Sequence, residues 1–243
     1  MNIMKAVLSL LWRIWFLLSF AIPFIALLPI TIFMTFSARF YPTLYIFLHA
    51  ISKFMLYSSG IFPKVIKEFP LDPKKQYLFC SNHGSTLDIP MMFFLSKKPI
   101  AFIGKESLAK FPIFGFYYKR FNVLINRQSL RNSYQAFQQA GQKIKQGQNM
   151  VIFPEGGIPK QQLRLATFKN GSFRLAVEQD VCIIPITFAD NKDIFPTSFL
   201  KGGPLRARVT LHKPIENCAS MTVEDLKQKV YQTIENELIR YEN

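Results

Sequence analysis

The chain has 243 residues and a formal net charge of +15, and 49% of its residues are hydrophobic, including 25 phenylalanines. This length allows one domain, or one domain with an appendage, and a sizeable core. The apolar, aromatic composition argues against intrinsic disorder. The three cysteines, Cys80, Cys182 and Cys218, are too few and too scattered for a disulfide framework, which indicates a reducing compartment.

The amino-terminal part of the chain carries basic residues but no acidic ones. The first acidic residue is Glu68, and the basic residues before it are Lys5, Arg13, Arg39, Lys53, Lys64 and Lys67. Bases mixed with Trp, Phe and Leu suit an anionic membrane surface better than a nucleic-acid groove. The sequence contains neither zinc-finger spacing nor an RNA-recognition motif. We therefore expect an anionic phospholipid membrane as a partner, and no nucleic acid.

Residues 14–38 carry no charge, and this stretch is longer than the ~20 residues that a membrane-spanning helix needs. Pro23 and Pro29 interrupt it, and each removes a backbone donor and kinks or ends a helix. The stretch is therefore either one kinked span or two shorter helices that enter one leaflet and return. The aromatic segment that follows predicts an interfacial helix. We divide the chain into a membrane-associated helical segment, residues 1–60, and an α/β domain, residues 61–243.

The remainder alternates short apolar runs with amphipathic stretches, which is typical of an α/β fold. Predicted strands cover residues 64–69, 77–81, 99–104, 122–126, 149–153, 181–188 and 206–212, and predicted helices cover residues 129–146, 168–178 and 222–241. The first of these helices has an apolar face formed by Leu130, Tyr134, Phe137, Gly141 and Ile144. Its cap is Ser129, and Gly147 ends it.

The stretch CSNHGSTLDIP, residues 80–90, contains a histidine and an aspartate five residues apart. The preceding strand ends near Ser81 because turn residues follow it. His83 then lies on a loop at the carboxyl end of a strand, where α/β sheets usually keep their sites. Asp88 can accept a hydrogen bond from one ring nitrogen, which leaves the other facing outward as a base. The alternative is structural, with Ser85 and Asp88 forming a capping box beside a histidine without a catalytic role.

Other chemical interpretations of this stretch are weaker. Cys80 and His83 make half of a zinc site, but the remaining His and Cys residues offer no second pair at ligand spacing. We therefore predict no metal. Ser85 is not in a G-x-S-x-G elbow, which argues against a serine nucleophile.

The segment NHGSTLD resembles the N-H-x4-D block of the glycerolipid acyltransferases, above all the 1-acylglycerol-3-phosphate (lysophosphatidate) acyltransferases. Three further stretches are similar to the other blocks of this family, in the same order: FNVLINR at 121–127, FPEGGIP at 153–159 and IIPI at 183–186. The resemblance covers about residues 60–212. It implies a glycerol-3-phosphate acyltransferase-like fold, with a mixed, mostly parallel sheet flanked by helices and an apolar amino-terminal anchor.

The resemblance also implies an activity, the transfer of an acyl group from a thioester to the 2-hydroxyl of lysophosphatidate, which gives phosphatidate. His83 would be the general base and Asp88 its orienting carboxylate. Coenzyme A or an acyl carrier protein would carry the acyl group as co-substrate, and no cofactor would be needed. The residues expected to bind substrate are Asn82, Lys105, Arg127, Glu155, Gly156, Gly157 and Lys169.

The third block departs from the family pattern, because Ile158 stands where the family carries an arginine. Lys105 and Lys169 are the first candidates to supply the missing charge. The departure keeps other acceptors open, namely another lysophospholipid or a hydroxylated aminolipid. A non-catalytic basic membrane-binding protein and a lipid-ester hydrolase are further alternatives. More bases follow the apolar segment than precede it, which predicts a catalytic domain on the cytoplasmic face of the inner membrane.

Overall fold

The structure is a computed structural model that describes residues 3–126, 130–159 and 163–242. Within these residues the strands are β1 (Phe62–Lys67), β2 (Leu78–Ser81), β3 (Ile100–Lys105), β4 (Val123–Ile125), β5 (Asn149–Ile152), β6 (Ile183–Phe188) and β7 (Arg206–Leu211). The helices are α1 (Ile3–Ala26), α2 (Leu28–Met34), α3 (Tyr41–Ser58), α4 (Asp88–Leu95), α5 (Phe114–Phe121), α6 (Leu130–Lys145), α7 (Gly171–Gln179), α8 (Asn191–Ile194) and α9 (Val223–Glu242).

The strands form one mixed sheet in the order β1-β7-β6-β2-β5-β3-β4. Neighbouring strands are parallel except for the antiparallel pair β6 and β7. This arrangement confirms the predicted α/β fold with a mostly parallel sheet. Each predicted strand overlaps an observed one, with bounds that differ by two residues or fewer.

The two faces of the sheet are covered by different helices because side chains alternate along each strand. Leu78 and Cys80 of β2 point into a core shared with α6, α7 and α9. Tyr77 and Phe79 point into a second core, which includes residues of α1, α3 and α4. The predicted apolar face of α6 is wrong at Tyr134, which is 55% exposed. The division at residue 60 stays a prediction, although residues on both sides of it share the second core.

The amino-terminal helices lie against the α/β domain and leave an apolar face uncovered. α1 continues through Pro23 to Ala26, and α3 returns beside it, with hydrogen bonds from Trp12 Nε1 to Ser59 O and from Trp15 Nε1 to Ser58 O. Large exposed apolar side chains of α1 and α2 include Ile3, Met4, Val7, Leu8, Leu11, Ile14, Leu18, Ile22, Ile25, Ile30 and Phe33. By length and composition, α1 is the one described helix that could cross a membrane.

Arg13 fastens the middle of α1 to the loop between α8 and β7. Its side chain is 3% exposed and donates hydrogen bonds to the carbonyl oxygens of Pro196 and Lys201. The guanidinium also lies 4.2 Å from the centre of the Phe195 ring. One side of α1 is thus committed to protein contacts, and the opposite side carries the exposed apolar residues.

We expect Arg13→Met to destabilise the fold, because the substitution leaves two carbonyl acceptors without their donor. The expected loss is about 2 kcal/mol, which corresponds to roughly 4–8 °C in Tm for a chain of this size. The measurement is thermal unfolding of the detergent-solubilised protein. Lys5→Met removes the same charge from an exposed position of the same helix and should leave Tm unchanged. Equal shifts in both variants would contradict the role given to Arg13.

Candidate active site

The candidate site lies at the carboxyl edge of the sheet, where parallel strands end together. His83 follows β2, Glu155 follows β5, and Asn191 follows β6, whereas Lys105 ends β3. β2 is parallel to both β5 and β6, so the loops that leave these strands emerge side by side. Residues far apart in the sequence are therefore neighbours at this edge, which is the usual site position in such sheets.

His83 and Asp88 form a direct hydrogen bond, with 2.9 Å between Nδ1 and Oδ2. The Asp88 side chain is fully buried, whereas 15% of the His83 side chain is exposed. An ionised carboxylate only accepts hydrogen bonds, so Nδ1 carries the proton and Nε2 keeps its lone pair. The imidazole also stacks on Phe153, with ring centres 4.0 Å apart and planes 15° apart. The arrangement leaves one ring nitrogen able to act as a base.

Asp88 is held by two further donors. Its Oδ2 also accepts from Ser85 N at 3.0 Å, and its Oδ1 accepts from Asn191 Nδ2 at 2.8 Å. Asp88 is the first residue of α4, where the helix dipole favours a negative charge. One carboxylate oxygen therefore serves both the His83 ring and the Ser85 backbone, but the predicted capping box is not formed, since α4 has no side-chain cap bond and Ser85 Oγ bonds Phe195 O and Leu87 N. Asn191, which is 1% exposed, was not identified from the sequence, because no local pattern connects it to residue 88.

Ser85 is a structural residue in this geometry. It is 1% exposed, its Oγ donates to Phe195 O at 2.6 Å, and the same oxygen accepts from Leu87 N at 3.1 Å. A hydroxyl with these partners is not available as a nucleophile. The bond to Phe195 also connects the His83 loop to the loop that holds Arg13.

Glu155 fixes the backbone of the His83 loop. Its Oε1 accepts from His83 N at 2.6 Å, and its Oε2 accepts from Ala166 N at 2.8 Å. The residue is 9% exposed, and this burial raises the pKa of its carboxyl. Each oxygen is thus engaged by the protein itself. Glu155 therefore positions His83, and its contact with a substrate stays a prediction.

Asn82 likewise faces the protein interior. Its side-chain amide donates to Phe188 O at 2.9 Å and accepts from Phe188 N at 2.8 Å. This pair of bonds ties the end of β2 to the end of β6. The contact of Asn82 with a substrate stays a prediction.

Lys169 is brought to the glycine turn that follows β5. Gly156 has a φ of +81°, and a Cβ atom on it would lie 2.8 Å from Lys169 Nζ, so the lysine side chain crosses this glycine. A Cβ atom on Gly157 would meet nothing within 4 Å, so packing does not require a glycine there. Lys105 is exposed at the end of β3. Arg127, another predicted substrate contact, lies outside the described residues.

A cleft of about 300 Å³ opens beside this turn. Gly156, Lys169 and Ser172 line it, and Gly171, also in its wall, begins α7. Ser172 is 1% exposed, and its Oγ has no hydrogen-bond partner. A lysine amine, an unpartnered hydroxyl and a helix amino end make this cleft suitable for an anion.

An apolar cavity of about 440 Å³ lies between the amino-terminal helices and the sheet. Thr86, Ile89 and Pro90, which lie in and just after the His83 loop, line one part of it. Tyr41 and Phe121 line another part, and their rings stack with centres 4.8 Å apart. The cavity thus extends from residues that flank Asp88 in the sequence to the amino side of the sheet, near Ile100 at the start of β3.

The known proteins that this chain resembles are consistent with such a site. Residues 63–189, slightly more than half of the chain, match the family described as Acyltransferase. A 1-acyl-sn-glycerol-3-phosphate acyltransferase of Chlamydomonas reinhardtii is 30% identical over 173 residues, which cover 69% of this chain and 51% of that protein. A lyso-ornithine lipid O-acyltransferase of Pseudomonas aeruginosa is 27% identical over 124 residues, which cover 51% of this chain and 47% of that protein.

The chain therefore spans about half the length of these curated relatives. The crystal structure of the 1-acyl-sn-glycerophosphate acyltransferase from Thermotoga maritima matches 98% of both chains, with a TM-score of 0.78 and 22% identity. This likeness shows the fold. Together with the family match over residues 63–189, it means that the chain belongs to the acyltransferase family that includes the 1-acyl-sn-glycerol-3-phosphate acyltransferases.

Proposed function

We propose that the protein transfers an acyl group from a thioester to the free hydroxyl of a lysophosphatidate, giving phosphatidate. The observation that carries this proposal is the hydrogen-bonded pair His83 and Asp88, which lies at the carboxyl edge of the sheet beside an apolar cavity. Family membership supports the same reaction class. Coenzyme A or an acyl carrier protein would carry the acyl group, and either anionic partner suits a chain with a net charge of +15.

In this mechanism His83 is the general base. Its Nε2 accepts the proton of the acceptor hydroxyl while the hydroxyl oxygen forms a bond to the thioester carbonyl carbon. The tetrahedral intermediate then collapses, the carbon–sulfur bond breaks, and the leaving thiolate takes the proton back from Nε2. Asp88 holds the imidazole in the tautomer that this transfer needs and offsets the positive charge that forms on the ring.

The apolar cavity is the proposed site of the acyl chain. Its lining is almost wholly aromatic and aliphatic, and it begins beside Thr86, three residues after His83. A chain in this cavity would have its carbonyl end near the base. At the far end, the stacked rings of Tyr41 and Phe121 limit the depth that is available to the chain.

The cleft beside α7 is the proposed site of the acceptor phosphate. The family arginine of the third block is absent here, since Ile158 occupies that position. Lys169, the amino end of α7 and the unpartnered hydroxyl of Ser172 can supply charge and donors in its place. Lys105 and Arg127 stay predicted phosphate contacts.

A second candidate acceptor is a lyso-aminolipid without a phosphate monoester. The missing arginine at Ile158 and the similarity to the lyso-ornithine lipid O-acyltransferase favour this candidate. The reaction would be the same, with the His83 base acting on a different hydroxyl. The two candidates differ in whether Lys169 contributes to binding of the acceptor.

The exposed apolar faces of α1 and α2 are the proposed contact with the membrane. A protein held in this way would meet its lipid substrates at the leaflet surface. The excess of basic residues after the apolar segment supports a cytoplasmic orientation on the inner membrane.

His83→Ala should reduce the rate of phosphatidate formation at least 100-fold, as expected for the loss of a general base. The assay uses the purified protein in detergent with an acyl thioester and lysophosphatidate, and it measures phosphatidate by mass spectrometry. His49→Ala, on α3, is a matched control and should stay active. The wild type and both variants should co-sediment with vesicles to the same extent. A His83 variant with wild-type turnover would leave a non-catalytic membrane-binding protein as the explanation.

Asn191→Ala should lower kcat about tenfold with little change in KM, because Asp88 loses one hydrogen bond to its buried charge. A merely destabilised protein would show wild-type kcat once the rate is divided by its folded fraction, which thermal unfolding in the same detergent gives. Positioning of Asp88 by Asn191 instead predicts that kcat stays lower per folded molecule. An unchanged kcat would rule out a role for Asn191 in positioning Asp88.

Lys169→Met should raise the KM for lysophosphatidate about tenfold, through the loss of one charge-assisted contact, and should leave kcat within about twofold. The same substitution should not affect turnover of a lyso-aminolipid. Lys192→Met, also near the edge of the sheet but bonded to Leu163 O, is the matched control. If wild type turns over only the aminolipid, the second acceptor replaces the first.

A further inference from the structure

A second polar cleft, of about 730 Å³, opens at the amino edge of the sheet. Pro99 precedes β3 and Gln148 precedes β5, and both line the cleft. Because β2, β3 and β5 are parallel, this edge is opposite the one that carries His83. The cleft is therefore separate from the candidate active site.

The cleft is basic. Lys98, Arg120 and Lys143 line it, and its described lining residues include no carboxylate. Lys98 Nζ donates to Pro73 O, and Arg120 Nη1 donates to Thr35 O at 3.1 Å, so both cations contact only neutral acceptors here. A cleft with this lining attracts an anion.

Lys143 is partly buried, and burial lowers the pKa of its amine. Its hydrogen bond to Gln148 Oε1 is long, at 3.5 Å. A partly desolvated ammonium without a carboxylate partner gains more from an anionic ligand than a solvated surface lysine does.

The rim of the cleft joins the apolar face of the protein. The guanidinium of Arg120 lies 5.8 Å from the ring centre of Phe36 and 4.5 Å from that of Phe116. Phe36 is 72% exposed, and Phe33, in the last turn of α2, is 69% exposed. An occupant of this cleft would therefore have an anionic head beside the cations and apolar material beside these rings.

Favourable interaction of cations with helix carboxyl ends explains only some of the basic residues in the cleft. Arg120 and Lys143 lie in or near the last turns of α5 and α6, where cations are favourable. Lys98 belongs to no helix, yet it lines the same cleft. Helix capping also does not require the aromatic contacts of Arg120. The convergence of the three cations beside an apolar face points to a ligand.

We propose that this cleft binds the phosphate of an anionic phospholipid of the membrane. The stacked rings of Tyr41 and Phe121 line both this cleft and the apolar cavity, and they stand between the two. A headgroup bound here lies at the opposite edge of the sheet from His83. The lipid is thus a membrane contact of the protein and not a substrate of the proposed reaction.

The test measures equilibrium binding of dioctanoyl phosphatidylglycerol to the full-length protein in detergent. This lipid carries a phosphodiester and is neither the proposed acceptor nor the proposed product. Lys143→Gln and Arg120→Gln should each raise its Kd about tenfold, the loss of one charge-assisted contact. Lys145→Gln removes the same charge from an exposed position in the last turn of α6, outside the cleft, and should change Kd less than twofold.

Two comparisons decide the outcome. If Lys143→Gln and Lys145→Gln weaken lipid binding equally, the proposal is overturned, because binding would then reflect net charge. The absence of saturable binding would also overturn it, because there would then be no site. Inorganic phosphate that competes as strongly as the lipid would overturn the lipid assignment and leave a free-anion site. Thermal unfolding of the three variants in the same detergent checks folding.

Turnover of lysophosphatidate by Lys143→Gln should match wild type, which separates this cleft from the proposed reaction.

Discussion

The carboxylate of Asp88 is fully buried and accepts hydrogen bonds from His83 Nδ1, Ser85 N and Asn191 Nδ2. Burial of a carboxylate is costly unless donors surround it, and these three hydrogen bonds offset that cost. They come from the loop after β2 and from the segment after β6. The same carboxylate therefore orients the histidine and joins two strand ends.

Other parts of the structure support this one interaction. Glu155 holds the backbone N–H of His83, and Asn82 bonds both backbone groups of Phe188. Ser85 bonds Phe195 O, whose neighbour Pro196 accepts from Arg13 of α1. The amino-terminal helices and the His83 loop thus contact the same short segment. This gives a physical connection between the apolar helices and the geometry of the His83–Asp88 pair.

The sheet separates two kinds of polar surface. At the carboxyl edge, most polar side chains are used to hold loops in place, and His83, Lys105 and Lys169 keep exposed atoms. At the amino edge, the cations lie beside exposed phenylalanines. Parallel strands produce this separation because their carboxyl ends lie together at one edge and their amino ends at the other.

Local sequence patterns predicted the regular elements well. Alternating apolar runs located each strand. Thr222 caps α9, with 3.1 Å between Asp225 N and Thr222 Oγ1. The helical period located α6 and the buried positions Gly141 and Ile144 on its predicted face, but it was wrong at Tyr134. Ala136 and Ala140 are buried there, whereas Tyr134 is not, because small side chains allow the helix to approach the sheet closely. The short helices α5 and α8 were not predicted.

The sequence by itself determined the α/β class, the basic apolar amino terminus and the candidate pair His83 and Asp88. These follow from short-range spacing, which periodicity and turn chemistry control. Only the tertiary structure decided that the side chains of Glu155 and Asn82 form hydrogen bonds with backbone groups. It also decided that Asn191 donates to Asp88 and that Lys169 reaches Gly156. Each of these contacts joins residues from different elements. Their proximity depends on strand order and register, and no local pattern in a single sequence encodes these directly.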